Sequence, residues 1–323
     1  RIAEVSQVIY SIDMQIIKLK HTAKFSKSIE NIIFSLKIIP KHDGSSNKPV
    51  VFLNKNISIA VIDLSGKSPV MGGYNTDFFL YSASLYKIYV AVEVLRQYEH
   101  KIINLDKKIT VSKINVVDKR KQIPYDNGKL LKFGDKESIG YLLELMLSRS
   151  DNTAANCLID LIGRENINKN IIEKYNWQGS EVTRKFLPRK FEKAKYKKAP
   201  ITLTCVRHIA ELFFLIEKEK ILNKESSQLL KELLLKGNHF ENENIGAGLP
   251  KSAKFYRKGG WFESKLKDGA ILKFNSDAGI VEDEKVKYII ATLTSLKTKS
   301  NKKSFPMKKL SREIYNLIRL HSR

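Results

Sequence analysis

The sequence predicts an α/β fold of the α+β type, a mostly antiparallel sheet built from both chain ends with flanking helices and an inserted helical region. Two observations carry this. A β-branched run, Ile57-Ser58-Ile59-Ala60-Val61-Ile62-Asp63-Leu64, stands early, and strand patterns return only late, at 270–274, 278–281 and 287–294. Between them, from about 84 to 245, helical periodicity and loops dominate. Short turns separate the late strands, so antiparallel pairing is expected.

Residues 1–38 are rich in apolar positions, and Ile29, Ile32, Ile33 and Leu36 fall on one helix face, which predicts a helix over at least the later part. Lys41–Pro49 (KHDGSSNKP) is a turn-rich break. Residues 1–50 are therefore expected as an N-terminal helical extension and linker, and 51–323 as the main domain, with its sheet drawn from about 51–75 and 250–300. After a turn near Gly72-Gly73, Leu85 to Tyr98 reads as a long helix. Ile139–Met146, Ala154–Ile162, Val206–Ile216 and Ser226–Leu235 follow as helices. Leu310, Ile314, Leu317 and Ile318 mark a final amphipathic helix.

Fifty-eight basic against 34 acidic residues give a formal net charge of +24. The basic residues run through every segment, and zinc-finger spacing, an aromatic RNA-binding signature and a basic zipper are all missing, so no nucleic acid is expected as partner. Such a charge suits association with an anionic cell envelope. There is no run of about 18 apolar residues, which excludes a membrane-spanning helix. The chain opens on Arg1, as a processed product would, and a secreted or periplasmic location is expected. Cys157 and Cys205 have no CxxC pattern and lie in apolar helical settings, where they read as separate core residues. The six histidines show no metal-ligand spacing, His208 reads as a packed helix residue, and no metal or cofactor is expected. A G-x-S-x-G nucleophile elbow is missing as well.

Three short motifs occur in one order: Ser84-Leu85-Tyr86-Lys87, Ser150-Asp151-Asn152 and Lys258-Gly259-Gly260. Ser84 lies where an apolar stretch (Phe78 to Tyr81) passes through small residues into a helix, so the helix dipole and its own N–H favour an oxyanion there. Lys87, three residues on, shares that helix face, and a buried lysine of lowered pKa can take the serine proton. Asp151 and its neighbours also suit a helix N-cap.

With these motifs, and the longer runs SRSDNTAANCLID and Asp277-Ala278-Gly279-Ile280-Val281, the sequence resembles the class A β-lactamases and penicillin-binding serine hydrolases over roughly residues 57 to 320. The resemblance implies a β-lactamase-like fold, a monomer, an acyl-enzyme on Ser84, and Lys87 beside it. It implies that Ser150 relays a proton to the leaving nitrogen, and that Asn152 hydrogen-bonds the substrate amide while Asp151 holds the loop. Lys258 would attract a substrate carboxylate from an edge strand. Gly260 would line the site, and the N–H of Trp261 would complete the oxyanion hole with that of Ser84. Gly259 departs from the family, in which Thr or Ser donates a hydrogen bond to that carboxylate. Losing it costs roughly 1.5–3 kcal/mol of binding unless another group supplies it.

Class A enzymes also carry a glutamate that activates the deacylating water, on a loop between the second and third motifs. Here that stretch, KFLPRKFEKAKYKK, holds one acid, Glu192, which is the sole candidate for the role. The expected substrate is a β-lactam, with a peptidoglycan stem peptide (a penicillin-binding D,D-peptidase) as the alternative. A non-catalytic cell-wall binding module on the same scaffold is the third reading.

Overall fold

The computed structural model describes residues 7–12, 15–36, 55–118, 129–237, 244–284, 286–299 and 304–321. Seven strands form one sheet: β1 (Gln7–Ile12), β2 (Gln15–His21), β3 (Lys55–Asp63), β4 (Val70–Tyr74), β5 (Lys254–Lys265), β6 (Ile271–Glu282) and β7 (Lys287–Thr298). Their spatial order is β1-β2-β4-β3-β7-β6-β5. Only β2 beside β4 is parallel. The early and late parts of the chain meet where β3 pairs with β7, Ile59 opposite Thr292 and Ile62 opposite Ile289. The sheet is thus built from both chain ends.

One strand reading changes. The patterns at 270–274 and 278–281 are one continuous strand, β6. The polar step between them is tolerated because the buried Ser276 hydroxyl donates to Ser82 O at 2.7 Å, while Asp277 accepts from Arg257. The Lys258-Gly259-Gly260 motif lies, as the resemblance implies, on an edge strand, inside the twelve-residue β5.

The helices are α1 (Ala23–Ser35), α2 (Lys87–Glu99), α3 (Ile139–Ser148), α4 (Asn152–Ile162), α5 (Arg164–Ile167), α6 (Val206–Glu217), α7 (Lys224–Lys236) and α8 (Met307–His321). Ser138, Asp151 and Asn223 cap α3, α4 and α7, each side chain accepting from the N–H three residues on. Both sheet faces are covered, which is why β3 reads as a nearly continuous apolar run. Ile57, Ile59 and Val61 enter one core with Phe25, Ile29 and Ile33 of α1 and Leu310, Ile314 and Ile318 of α8. Ala60 and Ile62 enter the other, with the helical region.

The N-terminal segment therefore does more than extend the domain. Its later part is helical as expected, but 7–12 and 15–21 are strands, and α1 shares the core of the sheet. The break at 41–49 lies outside the described residues. Among the described residues no helix is long and apolar enough to cross a membrane. Helix α2 is buried along most of its length, from Lys87 to Leu95, so it has no solvent face to speak of. His208 is packed in α6, bonded to the Ser180 hydroxyl at 2.8 Å and edge-on to Phe79, and burial pulls its pKa down to about 3. Cys157 and Cys205 are both free and buried.

Candidate active site

Ser84 sits in a single 3₁₀ turn, Ala83–Tyr86, which runs straight into α2. In that geometry residues three apart are eclipsed, so Ser84 and Lys87 lie one above the other. Ala83 holds a left-handed φ of 48° just before the nucleophile position, and Ser150 one of 60°. Lys101, Asn176 and Glu219 have similar values just past helix ends, where such residues are common. Ser150 is also of this kind, one residue past the C-cap of α3, whereas Ala83 follows no helix, and its strained backbone marks the turn that carries Ser84. Edge strand β5 closes on this turn at Gly260. A Cβ there would lie 2.5 Å from Ser84 N and 2.9 Å from Leu85 N, so only glycine lets the strand reach the Ser84 amide.

The Ser150 hydroxyl is held between two lysine amines. Lys87 Nζ is 3.2 Å from Ser150 Oγ and Lys258 Nζ is 2.9 Å from it. Lys87 also donates to Ser150 O at 2.6 Å and to Asn152 Oδ1 at 2.7 Å. Lys258 donates to Gly259 O at 2.7 Å. Both lysines are buried. Burial brings the Lys87 amine down to about 7, partly opposed by the negative charges of Asp118 and Asp151. Burial also pushes Lys258 well below the ordinary lysine range, helped by the charges of Lys87 and Arg257. The structure thus gathers Lys87, Ser150, Asn152 and Lys258 around one hydroxyl, with the Ser84 turn and Gly260 beside them.

Asp151 caps α4 through Ala154 N at 2.7 Å and pairs with Arg149 at 3.1 Å. Asp118, which no sequence pattern singles out, fixes Asn152. Its carboxylate accepts from Asn152 N at 2.7 Å, Asn152 Nδ2 at 2.9 Å and Thr153 N at 2.9 Å. That bond sets the amide flip, turning the carbonyl oxygen of Asn152 to Lys87.

The loop between the second and third motifs places its acid elsewhere. Glu192 Oε2 pairs with Arg164 Nη2 at 2.8 Å, and Oε1 accepts from Lys185 N at 2.8 Å. Arg164 itself stacks on the Tyr196 ring, 3.6 Å from its centroid. What stands over Lys87 is an aromatic ring: Nζ is 4.2 Å from the centroid of Phe186, which stacks parallel on Tyr86 at 4.9 Å. Trp261, on β5, is 61% exposed, leaving its side chain outside the cluster while its backbone continues the Gly260 edge.

Residues 51–318 match the family described as the beta-lactamase enzyme family. The chain belongs to this family. Like its other members it is a hydrolase of the β-lactamase type. Solved structures share the fold at low identity. PBP-A is 19% identical with a TM-score of 0.69, over 90% of this chain and 96% of that one. A β-lactamase from Sphaerobacter thermophilus is 17% identical with a TM-score of 0.69, over 91% and 97%. A class A β-lactamase from Bacteroides cellulosilyticus is 18% identical with a TM-score of 0.70, over 92% and 99%. A PBP-A variant has been solved as an acyl-enzyme complex with penicillin G. No curated protein matches the chain.

Within this β-lactamase-family fold, the Arg164–Glu192 pair ties the loop to the helical region. Breaking one side of a buried pair strands the other charge, at a cost of about 3–5 kcal/mol. Glu192→Gln is accordingly expected to lower the melting temperature and to expose 185–200 to proteases, with the acyl-enzyme lifetime little changed. A variant of unaltered stability whose acyl-enzyme persists far longer than wild type would instead make Glu192 the deacylating base.

Proposed function

We propose that the chain is a serine acyl-transfer hydrolase that is acylated by β-lactams at Ser84 and releases the acyl group slowly. The observation that carries the reading is the Ser150 hydroxyl suspended between the amines of Lys87 and Lys258 at 3.2 and 2.9 Å, beside the Ser84 turn. Lys87, with an amine near neutrality, takes the Ser84 proton. The Ser84 oxygen then attacks the lactam carbonyl, whose oxygen turns to the N–H groups of Ser84 and Trp261. Collapse breaks the C–N bond, and Ser150 passes the proton from Lys87 to the nitrogen. Asn152, held by Asp118, presents its amide to the substrate's acyl side chain.

Slow release follows from the loop. Phe186 covers Lys87 with an apolar ring, and the two oxygens of Glu192 are taken by Arg164 and Lys185. This favours the penicillin-binding D,D-peptidase reading, in which a stem peptide is the natural substrate and the drug a trap. It agrees with the acylation of a PBP-A variant by penicillin G. A pure binding module accounts less well for Lys87, because burying an amine is costly and a scaffold without chemistry gains nothing from it. Either substrate places the protein outside the cytoplasm, where its net charge of +24 suits the anionic envelope.

Intact-mass spectra after incubation with benzylpenicillin test this directly. The expected result is one drug-mass adduct, mapped to Ser84, lost in Ser84→Ala and persisting after the drug is removed. Absence of an adduct on folded protein at saturating drug overturns the acylation, and rapid drug loss without an accumulating adduct overturns the slow release.

A further inference from the structure

The ten loop residues 189–198, between the second and third motifs, carry six exposed cations: Arg189, Lys190, Lys193, Lys195, Lys197 and Lys198. Across the whole chain 58 of 323 residues are Lys or Arg, so six in ten is about three times the average density. The one acid of the segment points inward. Glu192 is buried, and its oxygens are taken by Arg164 of α5 and by Lys185 N. The segment's own negative charge is thus committed to a cation that lies outside it. Of the six exposed cations, among the described residues, only Lys195 has a carboxylate partner, Glu165.

These charges cannot spread apart. Arg189 Nη1 donates to Lys197 O at 3.1 Å and to Ala199 O at 3.0 Å, which folds the segment back on itself. Fully extended, ten residues would reach about 33 Å. Like charges confined in this way repel, and a surface of opposite sign relieves the repulsion. Among them stands an apolar ring: Phe191 is 47% exposed, with Lys190 Nζ 4.9 Å from its centroid. A soluble polyanion has no apolar phase to take such a ring. The boundary of a bilayer has one, where the ring enters the acyl region while lysine amines stay among the headgroups.

We infer that the loop 189–198 is a docking surface for an anionic lipid bilayer, with its cations on the headgroups and Phe191 as the apolar contact. The protein lies on the membrane through this loop. The same loop carries Phe186, whose ring covers Lys87, so the docked face is continuous with the cover of the site. Docking therefore sets how the site stands relative to the membrane. The inference needs no acylation and goes beyond the functional reading above.

Flotation of the full chain with vesicles tests it. The vesicles are phosphatidylcholine alone or phosphatidylcholine with phosphatidylglycerol, and soluble polyphosphate, titrated by calorimetry, is the rival polyanion. Two charge variants lose the same formal charge. Lys190→Gln/Lys193→Gln/Lys197→Gln/Lys198→Gln strips the loop, and Lys24→Gln/Lys107→Gln/Lys308→Gln/Lys309→Gln strips lysines exposed elsewhere. Wild type is expected to float with the phosphatidylglycerol vesicles only, and to be released by high salt. The loop variant should bind them about a hundred-fold more weakly or worse, the scale of four lysines at a charged surface, with the control within about threefold of wild type. Phe191→Ser should weaken vesicle binding about ten-fold and leave polyphosphate binding unchanged. Melting temperatures check that each variant is folded, and Lys190→Gln/Lys198→Gln reads the same loss on a smaller scale if the fourfold variant is not. A wild type that stays behind when the anionic vesicles float, or two charge variants that fall together, overturns the inference. Folded Phe191→Ser that floats as wild type does makes the loop a dock for polyanions and overturns the bilayer. Adduct formation on Ser84, measured separately, decides the functional reading whichever way the vesicles go.

Discussion

Acylation of Ser84 is expected to rise with pH through a midpoint near 7, and Lys87→Ala to slow it by about 10²–10⁴-fold, the usual worth of a general base. The sign follows from the amine. Lys87 acts as a base only when neutral, and burial has lowered its pKa to about 7, so the competent fraction grows as pH passes that value. An exposed lysine would place the midpoint some three units higher, near the ordinary value of about 10.4. A neighbouring carboxylate sharpens the test. Asp118 and Asp151 hold the protonated amine up, so Asp118→Asn should move the midpoint below 7 while also loosening Asn152. Stopped-flow or quenched mass measurements of adduct formation between pH 5 and 9 check the profile. A flat profile in wild type, or a Lys87→Ala variant acylated at the wild-type rate, would assign the proton to another group.

Replacing Phe186 with glutamate is expected to shorten the acyl-enzyme lifetime by about 10²-fold or more, again the scale of a positioned base. The ring centroid is 4.2 Å from Lys87 Nζ, so a carboxylate built there lies beside the amine and next to the acylated serine's turn. Phe186 is also fixed at both ends of its peptide unit by Asn156, which accepts from Phe186 N at 2.8 Å and donates to Phe186 O at 3.3 Å. The backbone is therefore positioned to hold the new side chain. The same carboxylate favours the ammonium form, which predicts an upward shift of the acylation midpoint. Phe186→Ala is the control, since it admits water without a base and should shorten the lifetime much less. The decay of the Ser84 adduct after drug removal reads both variants. An adduct equally persistent in folded Phe186→Glu and wild type would show that the ring is not what protects it.

The residues of the proposed acylating site were legible because each sits in a short motif whose local geometry does part of the placing. Three residues of one turn align Ser84 with Lys87, and an N-cap orients the segment after Ser150. The rest of the cluster is made of pairings that no window contains. Asp118 meets Asn152, Glu192 meets Arg164 across the loop, and Phe186 reaches Lys87 only once the loop folds over α2. An isolated glutamate among lysines carries no sign of its partner, which is why Glu192 is the candidate base in a linear reading while its pairing with Arg164 favours a structural role. The edge strand at Gly259 and Gly260 was expected from the resemblance alone, for a related reason. Two glycines read locally as a turn, but one of them is set by the Ser84 amide and the other by the Arg257 guanidinium, both approaching from other parts of the fold.

The sequence by itself determined the fold class, the helices of the inserted region and of the chain end, and the order of the three motifs on which the proposed site rests. Periodicity, capping and motif spacing are properties of neighbouring residues, and those survive in a linear reading. Only the tertiary structure decided what surrounds that cluster: the burial that brings Lys87 to about 7, the ring above it, and the arginine beside Gly259. Desolvation and close approach depend on segments far apart in the chain, so they exist only after β5, the loop and α2 have closed on one another.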